Sequence, residues 1–277
     1  MAYLVPSPSM MELRSARMKA PMNTGRGNPF LSKSAATHSC YTAFVNNRLV
    51  LPYRGGKPAQ PLAQRVHRKL RSFVQDSAFP CVGAKAAFNQ GSYRFGMYPH
   101  MNSPPATAGL CHDLFTFVQE QQKLDSDFTT FIASFKGPTP TTDEQFERLF
   151  WQQLQNLHDE DARYHSWDPT YSSDPDSPDF SFSFAGRAFF VVGLHPGSSR
   201  LARRFPWPTL VFNAKYQFKR LEASGKDEKF QEVIRGKDVA LQGATNPNLK
   251  YEGQNSEAKQ YSGRPVGEDW ECPFKPR

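Results

Sequence analysis

Residues 180–194 read FSFSFAGRAFFVVGL, and this stretch decides the fold class. Phe180 to Phe184 alternates Phe with Ser, a period of two that is typical of a strand with one buried face. Ala188 to Leu194 is apolar on both faces, which predicts a strand inside a sheet that is covered on both sides. The stretch therefore predicts two successive strands joined by a turn at Gly186.

Helical patterns surround these strands. The clearest helix is predicted from Thr142 to about Arg163, because Thr142 and Gln145 match the S/T-x-x-E/Q capping box and an apolar series follows. Further helices are predicted near 61–75, 108–122 and 226–240, and further strands near 93–98, 128–135 and 209–213. Strands interleaved with helices predict a mixed α/β (α+β) fold. We expect a single domain over 62–277, with a central sheet flanked by helices.

The N-terminal region 1–61 differs in composition from the rest. It mixes Met, Pro, Ser, Gly and Arg without a helical or strand period, so we expect a largely disordered extension with a short ordered stretch near 41–51. Residues 1–71 hold 12 basic residues against one acidic residue, whereas 72–277 hold 22 basic and 25 acidic residues. The net charge of +8 therefore belongs to the N-terminal side, which argues against a nucleic-acid partner for the body.

Composition also limits the location and the class of protein. No apolar run approaches the roughly 20 residues of a membrane helix, and a secretory signal is missing. We expect a cytoplasmic protein without a membrane partner, and the alternative is organelle targeting by the basic extension. The four cysteines lack C-x-x-C spacing, which disfavours a disulfide scaffold and a zinc finger.

A polar, basic loop follows the predicted interior strand. Standard nucleotide-binding and hydrolase motifs are missing, so this loop is the first candidate site. It begins at His195, and its arginines Arg200, Arg203 and Arg204 are suited to binding carboxylates or other anions. Loops at the ends of central strands often form the sites of α/β proteins. The alternative is a solvated basic loop with a hydrogen-bonded histidine.

Two other regions contain side chains that are candidates for a functional site. The C-terminal region 246–274 holds polar side chains of every hydrogen-bonding type beside Tyr261 and Trp270, which suits a small polar ligand, a lid or a structural tail. His158 shares a face of the predicted long helix with Leu154 and Phe150, so its ring points toward apolar surroundings. Such a histidine is either a metal or haem ligand or an ordinary core or surface residue.

At these residues the chain resembles the YqcI/YcgG family over roughly 62–277. The resemblance is specific because several long motifs occur in the same order. The matching segments are Phe79–Cys81, Arg94–Gly96, Phe150–Asp161, Phe182–Gly193, His195–Arg204, Val211–Phe218, Asn246–Leu249, Ser256–Arg264 and Asp269–Phe274.

The resemblance implies a haem-dependent N-oxygenase that hydroxylates a guanidine nitrogen of L-arginine or an arginine-derived amino acid in specialised metabolism. It implies haem b, dioxygen and an electron donor as partners. His195 is then the first choice for the axial iron ligand and His158 the second, and Cys81 and Cys272 come third. The roles that follow are haem-propionate binding by Arg200, Arg203 and Arg204, and substrate binding by Glu257, Tyr261, Arg264 and Asp269.

Two alternatives to this enzyme remain open on the sequence. One is a haem-binding sensor or carrier without turnover, in which the same ligands serve only to capture the cofactor. The other is a haem-free protein that binds an anionic metabolite through the arginine loop. Product formation from arginine separates the first alternative from the enzyme, and a haem absorption band separates the second.

Overall fold

A computed structural model describes residues 27–31, 37–124, 126–248 and 255–276. Its strands are β1 Thr42–Val45, β2 Arg48–Leu51, β3 Lys57–Pro58, β4 Tyr93–His100, β5 Thr130–Gly137, β6 Phe182–Phe184, β7 Arg187–Leu194 and β8 Thr209–Ala214. Its helices are α1 Pro61–Gln75, α2 Val82–Gln90, α3 Pro104–Glu120, α4 Asp143–Asp161, α5 Tyr216–Ala223, α6 Asp227–Gln242 and α7 Ala258–Tyr261. The described helices include none with the length and apolar character needed to cross a membrane.

The eight strands form one mixed sheet in the order β3-β2-β1-β4-β5-β8-β7-β6. β4 and β5 are parallel, with Gly96 opposite Ala133, and the other neighbouring strands are antiparallel. β6 and β7 are joined by Ala185 and Gly186, which both have positive φ, as the tightest hairpin turns require. β7 is hydrogen-bonded on both sides, so the predicted interior strand and the mixed α/β class are confirmed.

Helices cover both faces of the sheet because its strands carry apolar residues on both faces. Phe131 and Phe135 of β5 belong to the larger core, which includes the apolar sides of α3 and α4. Ile132, between them, belongs to the smaller core on the opposite face, which includes α1. Successive strand residues alternate between the two faces of the sheet. Gly193, near the end of β7, faces α4 and lies against the rings of Phe146 and Phe150.

The predicted start of the long helix is confirmed. Thr142 is the N-cap of α4, and its hydroxyl oxygen accepts a hydrogen bond from the backbone N–H of Gln145 at 3.2 Å. The Gln145 side chain accepts in turn from the backbone N–H of Thr141, one residue before the usual capping-box partner. Local sequence therefore positions the first turn of α4, which contains Asp143.

The N-terminal extension differs from its prediction. Residues 1–26 and 32–36 of the extension, to which the targeting alternative refers, lie outside the described residues. Within the described part of 1–61, β1, β2 and β3 extend the sheet, and β1 pairs with β4 through Thr42 and Phe95. Phe30 is also buried, stacked on Phe184 at 5.5 Å. The ordered stretch expected near 41–51 contains β1 and β2, and order continues past it to β3 at Lys57–Pro58. These short strands gain their stability from pairing with distant residues.

A buried histidine on α1 makes stability depend on pH. His67 is 1% exposed, and its Nε2 lies 2.7 Å from the Tyr93 hydroxyl. Burial, together with the nearby Arg71 charge, lowers the pKa of His67 to about 3. The unfolded chain therefore takes up a proton below pH 6.5 that the folded protein does not, so stability falls as the pH falls through this range.

We expect protonation of His67 in the unfolded chain to lower the free energy of unfolding by about 2 kcal/mol when the pH falls from 7 to 5. Urea unfolding at the two pH values measures it, with His67→Leu as the comparison, since the variant retains the Arg71 hydrogen bond to Tyr93 at 3.1 Å. The wild type should lose about 2 kcal/mol more than the variant over this range. Equal losses in the two proteins would show that His67 does not cause the pH dependence.

Candidate functional site

The 195–204 loop folds back onto the end of β7. The backbone N–H of His195 donates to the carbonyl of Arg203 at 3.0 Å, and a bridge joins His195 to Arg204. A 3-10 turn at Leu201–Arg203 reverses the chain between these contacts. The loop is therefore a closed structure that fixes His195 at its base.

The His195 ring is fully buried and touches two residues of α4. It stacks on Phe146 with 4.3 Å between ring centroids and an interplanar angle of 17°. Its Nε2 lies 3.0 Å from Oδ1 of Asp143, which also accepts a hydrogen bond from the backbone N–H of Ser199. The first turn of α4 thus supplies both a packing surface and a carboxylate for the ring.

The protonation of His195 follows from these contacts. Burial lowers the pKa of His195, and the Arg203 charge acts in the same direction, although the Asp143 carboxylate opposes both. The ring is therefore neutral at neutral pH. A carboxylate only accepts hydrogen bonds, so Nε2 carries the proton and Nδ1 carries a lone pair. Nδ1 is buried and has no hydrogen-bond partner among the described residues.

This arrangement is the one that histidine metal ligands use. A ligating imidazole usually donates its other N–H to a carboxylate or carbonyl, which fixes the tautomer and makes the ligating nitrogen more basic. Here Asp143 holds Nε2, and Nδ1 is the nitrogen available to a ligand. Across the described ranges, no three His, Cys, Asp or Glu side chains form a cluster that could hold a bare metal ion.

The three loop arginines do not converge on a common anion. Arg200 forms an ion pair with Asp238 and donates to the Ala244 carbonyl at 3.2 Å. Arg203 donates to the carbonyls of Gln260 and Tyr261, both at 2.8 Å, and burial lowers its pKa to about 10. Arg204 donates through Nε to the Ser198 carbonyl at 2.9 Å. Their side chains hold α6, the α7 region and the loop itself together.

The C-terminal candidates are also engaged within the protein. Glu257 forms an ion pair with Lys215 and accepts a hydrogen bond from the Tyr261 hydroxyl at 2.6 Å. Arg264 donates to Oε2 of Glu147 on α4 at 2.6 Å, and this bond raises the pKa of the Arg264 guanidinium. Asp269 is exposed. Through Arg203, the structure joins this C-terminal segment to the His195 loop, although the sequence presented them as separate clusters.

The second and third candidates for the iron ligand lie away from the His195 loop. His158 is near the opposite end of α4 from Asp143, about 22 Å away along the helix axis at about 1.5 Å per residue. Its buried ring meets Trp167 and Phe274 edge-on, with centroids 5.6 and 5.3 Å away. Burial raises the pKa of the Cys81 thiol and raises that of Cys272 to about 12, so both thiols are protonated in the protein without a metal.

Sequence reasoning missed the residues that complete the His195 site. Asp143 and Phe146 belong to a helix that begins 52 positions before the histidine. Their only local signal is the capping box, which marks a helix start and says nothing about a distant partner. Glu147, the partner of Arg264, lies one turn further along the same helix.

Comparison with known proteins gives a consistent family. The model of the YqcI/YcgG family matches residues 70–275. The chain is 26% identical to the uncharacterised protein YcgG of Bacillus subtilis over 209 residues, which are 71% of this chain and 80% of YcgG. It is 27% identical to the uncharacterised protein YqcI of the same organism over 209 residues, or 72% of this chain and 82% of YqcI. No solved structure matches this chain significantly.

Proposed function

The chain belongs to the YqcI/YcgG family, and we propose that it is a haem-dependent N-oxygenase. Its reaction would be hydroxylation of a guanidine nitrogen of L-arginine or an arginine-derived amino acid, with dioxygen and an electron donor. The observation that supports the haem is the buried Nδ1 lone pair of His195, with Nε2 held by Asp143. The guanidine substrate rests on the family resemblance.

His195 offers a donor atom of the kind that haem iron needs. A neutral imidazole is a common protein ligand of haem iron. When bound, the haem supplies an iron that binds and activates dioxygen. His195 would hold the iron through Nδ1, Asp143 would keep the proton on Nε2, and Phe146 would keep the ring in one orientation.

The burial of His195 sets a condition on haem binding. The ring has no exposed surface, so a ligand reaches Nδ1 only when part of the packing around the 195–204 loop opens. Gly197 of that loop lies directly against the backbone of Thr141, where a Cβ would stand 2.3 Å from the Thr141 carbonyl oxygen. The loop is therefore packed tightly against the start of α4. Haem binding would have to leave this contact in place or separate the loop from the helix.

The remaining candidate residues receive less support. The loop arginines already bond to Asp238 and to backbone carbonyls, so no contact favours the haem-free anion binder, and haem-propionate binding by these arginines stays a prediction. Glu257 forms an ion pair with Lys215, and Arg264 forms one with Glu147. Substrate binding by Glu257 and Arg264 therefore stays a prediction.

The proposal is tested on protein produced with added haem precursor. We expect a stoichiometric Soret band that shifts on adding L-arginine, and a product heavier by one oxygen atom when a reductant and dioxygen are supplied. A haem band without product would leave a non-catalytic haem protein. A folded protein that takes up no haem would overturn the proposal.

Asp143→Asn tests the support of the proposed ligand. The amide has the size of the carboxylate but no charge, so we expect haem affinity to fall by about 10- to 100-fold. Titration of the apoprotein with haemin, followed by Soret absorbance, measures this change. Glu144→Gln is the matched control, because Glu144 is the next residue of α4 and is exposed. Unchanged affinity in Asp143→Asn would exclude this role for Asp143.

A further inference from the structure

We propose that Tyr261 is a redox-active tyrosine that gives up one electron to the oxidising site at His195 and its phenolic proton to Glu257. The inference rests on the proposed function for the identity of the oxidant. Its role would be to discharge the O2-derived oxidant when no substrate is bound, so that buried side chains around the site are not damaged.

Tyr261 has a proton acceptor built into its surroundings. The phenol is fully buried, and its oxygen lies 2.6 Å from Oε1 of Glu257. The other carboxylate oxygen of Glu257 is paired with the Lys215 ammonium, which stabilises the negative charge. A phenol that loses an electron becomes a strong acid, so a base within hydrogen-bond reach lets the proton leave with the electron.

A continuous series of ring contacts connects Tyr261 to His195. Tyr261 is stacked on Trp151, with centroids 5.9 Å apart and an interplanar angle of 20°. Trp151 meets Phe150 at 5.4 Å, Phe150 meets Phe146 at 5.8 Å, and Phe146 lies on the His195 ring. The described core therefore offers an aromatic route from the proposed iron ligand to the phenol.

Trp151 and Tyr261 differ in whether a base lies close enough to accept the proton that each side chain releases on oxidation. The indole Nε1 of Trp151 is buried without a hydrogen-bond acceptor among the described residues, so an oxidised Trp151 has no nearby base for its proton. Tyr261 has one in Glu257. The oxidising equivalent is therefore stabilised on Tyr261, and Trp151 serves as the step toward it.

The step balances in electrons and atoms. Tyr261 loses one electron to the oxidant, its O–H bond breaks, the proton binds Oε1 of Glu257, and a neutral phenoxyl radical remains. A small-molecule thiol or ascorbate returns the electron, and Glu257 returns the proton. The half-buried Trp270, 6.2 Å from Trp151, brings the route close to solvent.

The test oxidises the full chain without haem, so its outcome does not depend on the proposed function. Photogenerated ruthenium(III) tris-bipyridine serves as a one-electron oxidant, and samples frozen after a dark delay are examined by electron paramagnetic resonance. We expect a persistent tyrosyl signal in the wild type that falls at least tenfold in Tyr261→Phe. Glu257→Gln should reduce it several-fold, because the amide is a poor proton acceptor.

Two further variants control the experiment. Tyr164→Phe removes an exposed tyrosine and should leave the persistent signal unchanged. Trp151→Phe keeps an aromatic ring in the core and should lower the yield, which gives a second test if Tyr261→Phe does not fold. A persistent signal that is the same in wild type, Tyr261→Phe and Glu257→Gln would overturn the proposal, as would its absence from the wild type. If the radical forms but no haem binds, the redox role stands and only the assigned oxidant is lost.

Discussion

His195→Gly is expected to abolish stoichiometric haem binding by this protein. The substitution removes the one buried nitrogen lone pair that the described site offers to iron. The loss should exceed the ~10- to 100-fold effect of removing an outer partner such as Asp143. It also leaves a cavity of imidazole size between Phe146 and Asp143, so added imidazole should restore the Soret band.

His158→Ala is the matched variant for this experiment. It removes a second buried histidine from the other end of α4, and it should leave haem content and spectrum unchanged. Imidazole rescue separates ligation from folding, because a misfolded variant would not regain the native spectrum. If His195→Gly retained haem and His158→Ala lost it, the iron ligand would be His158 and not His195.

Phe274→Ala is expected to lower the free energy of unfolding by about 3–5 kcal/mol, the usual cost of emptying a buried phenylalanine site. Phe274 is fully buried against rings that include Trp151, His158, Trp167, Phe180 and Phe182. The segment 262–276 has no regular secondary structure, so this side chain is the main apolar anchor of the C-terminal part. Urea unfolding measures the loss.

Local detachment should accompany this loss of stability. Beside Phe274, Lys275 exchanges two hydrogen bonds with the Gln155 side chain, at 2.9 and 3.0 Å, and they are too exposed to hold the segment alone. We expect limited proteolysis to cut within 265–276 faster in Phe274→Ala than in wild type. Val239→Ala, at a half-exposed position of α6, should change stability by less than about 0.5 kcal/mol. A loss below about 1 kcal/mol for Phe274→Ala would show that other contacts anchor the segment.

The parts of the fold that sequence predicted are those with local causes. Helix α4 starts where the Thr142 capping box is, since the cap and its partner lie three residues apart. The β6–β7 hairpin follows from the Phe and Ser alternation of β6, the continuous apolar run of β7 and the two-residue turn between them. Helix α1 spans its predicted range because its apolar stripe has the helical period. In contrast, α3 begins at Pro104, four residues before its predicted start, because proline is well suited to the first turn.

The sequence predicted order near 41–51, but not that β1, β2 and β3 join the sheet, because the stability of these strands is not local. They are two to four residues long, lie among prolines and glycines, and carry no amphipathic pattern of their own. β1 is ordered by pairing with β4, and that contact joins Thr42 to Phe95, which are separated along the chain by β2, β3, α1 and α2. No property of the first 61 residues alone reveals such a partner.

The sequence by itself determined the mixed α/β class, the start of α4, the interior position of β7 and the family, because each depends on a periodicity, a cap or a motif that is complete within a short window. It also presented His195 and the arginines as one loop. Only the tertiary structure decided what each side chain does there. It brought Asp143 and Phe146 to His195, and it directed Arg200 to Asp238 and Arg203 to the α7 carbonyls. Burial then set the protonation of His195, and burial is a property of the packed chain that no short segment contains.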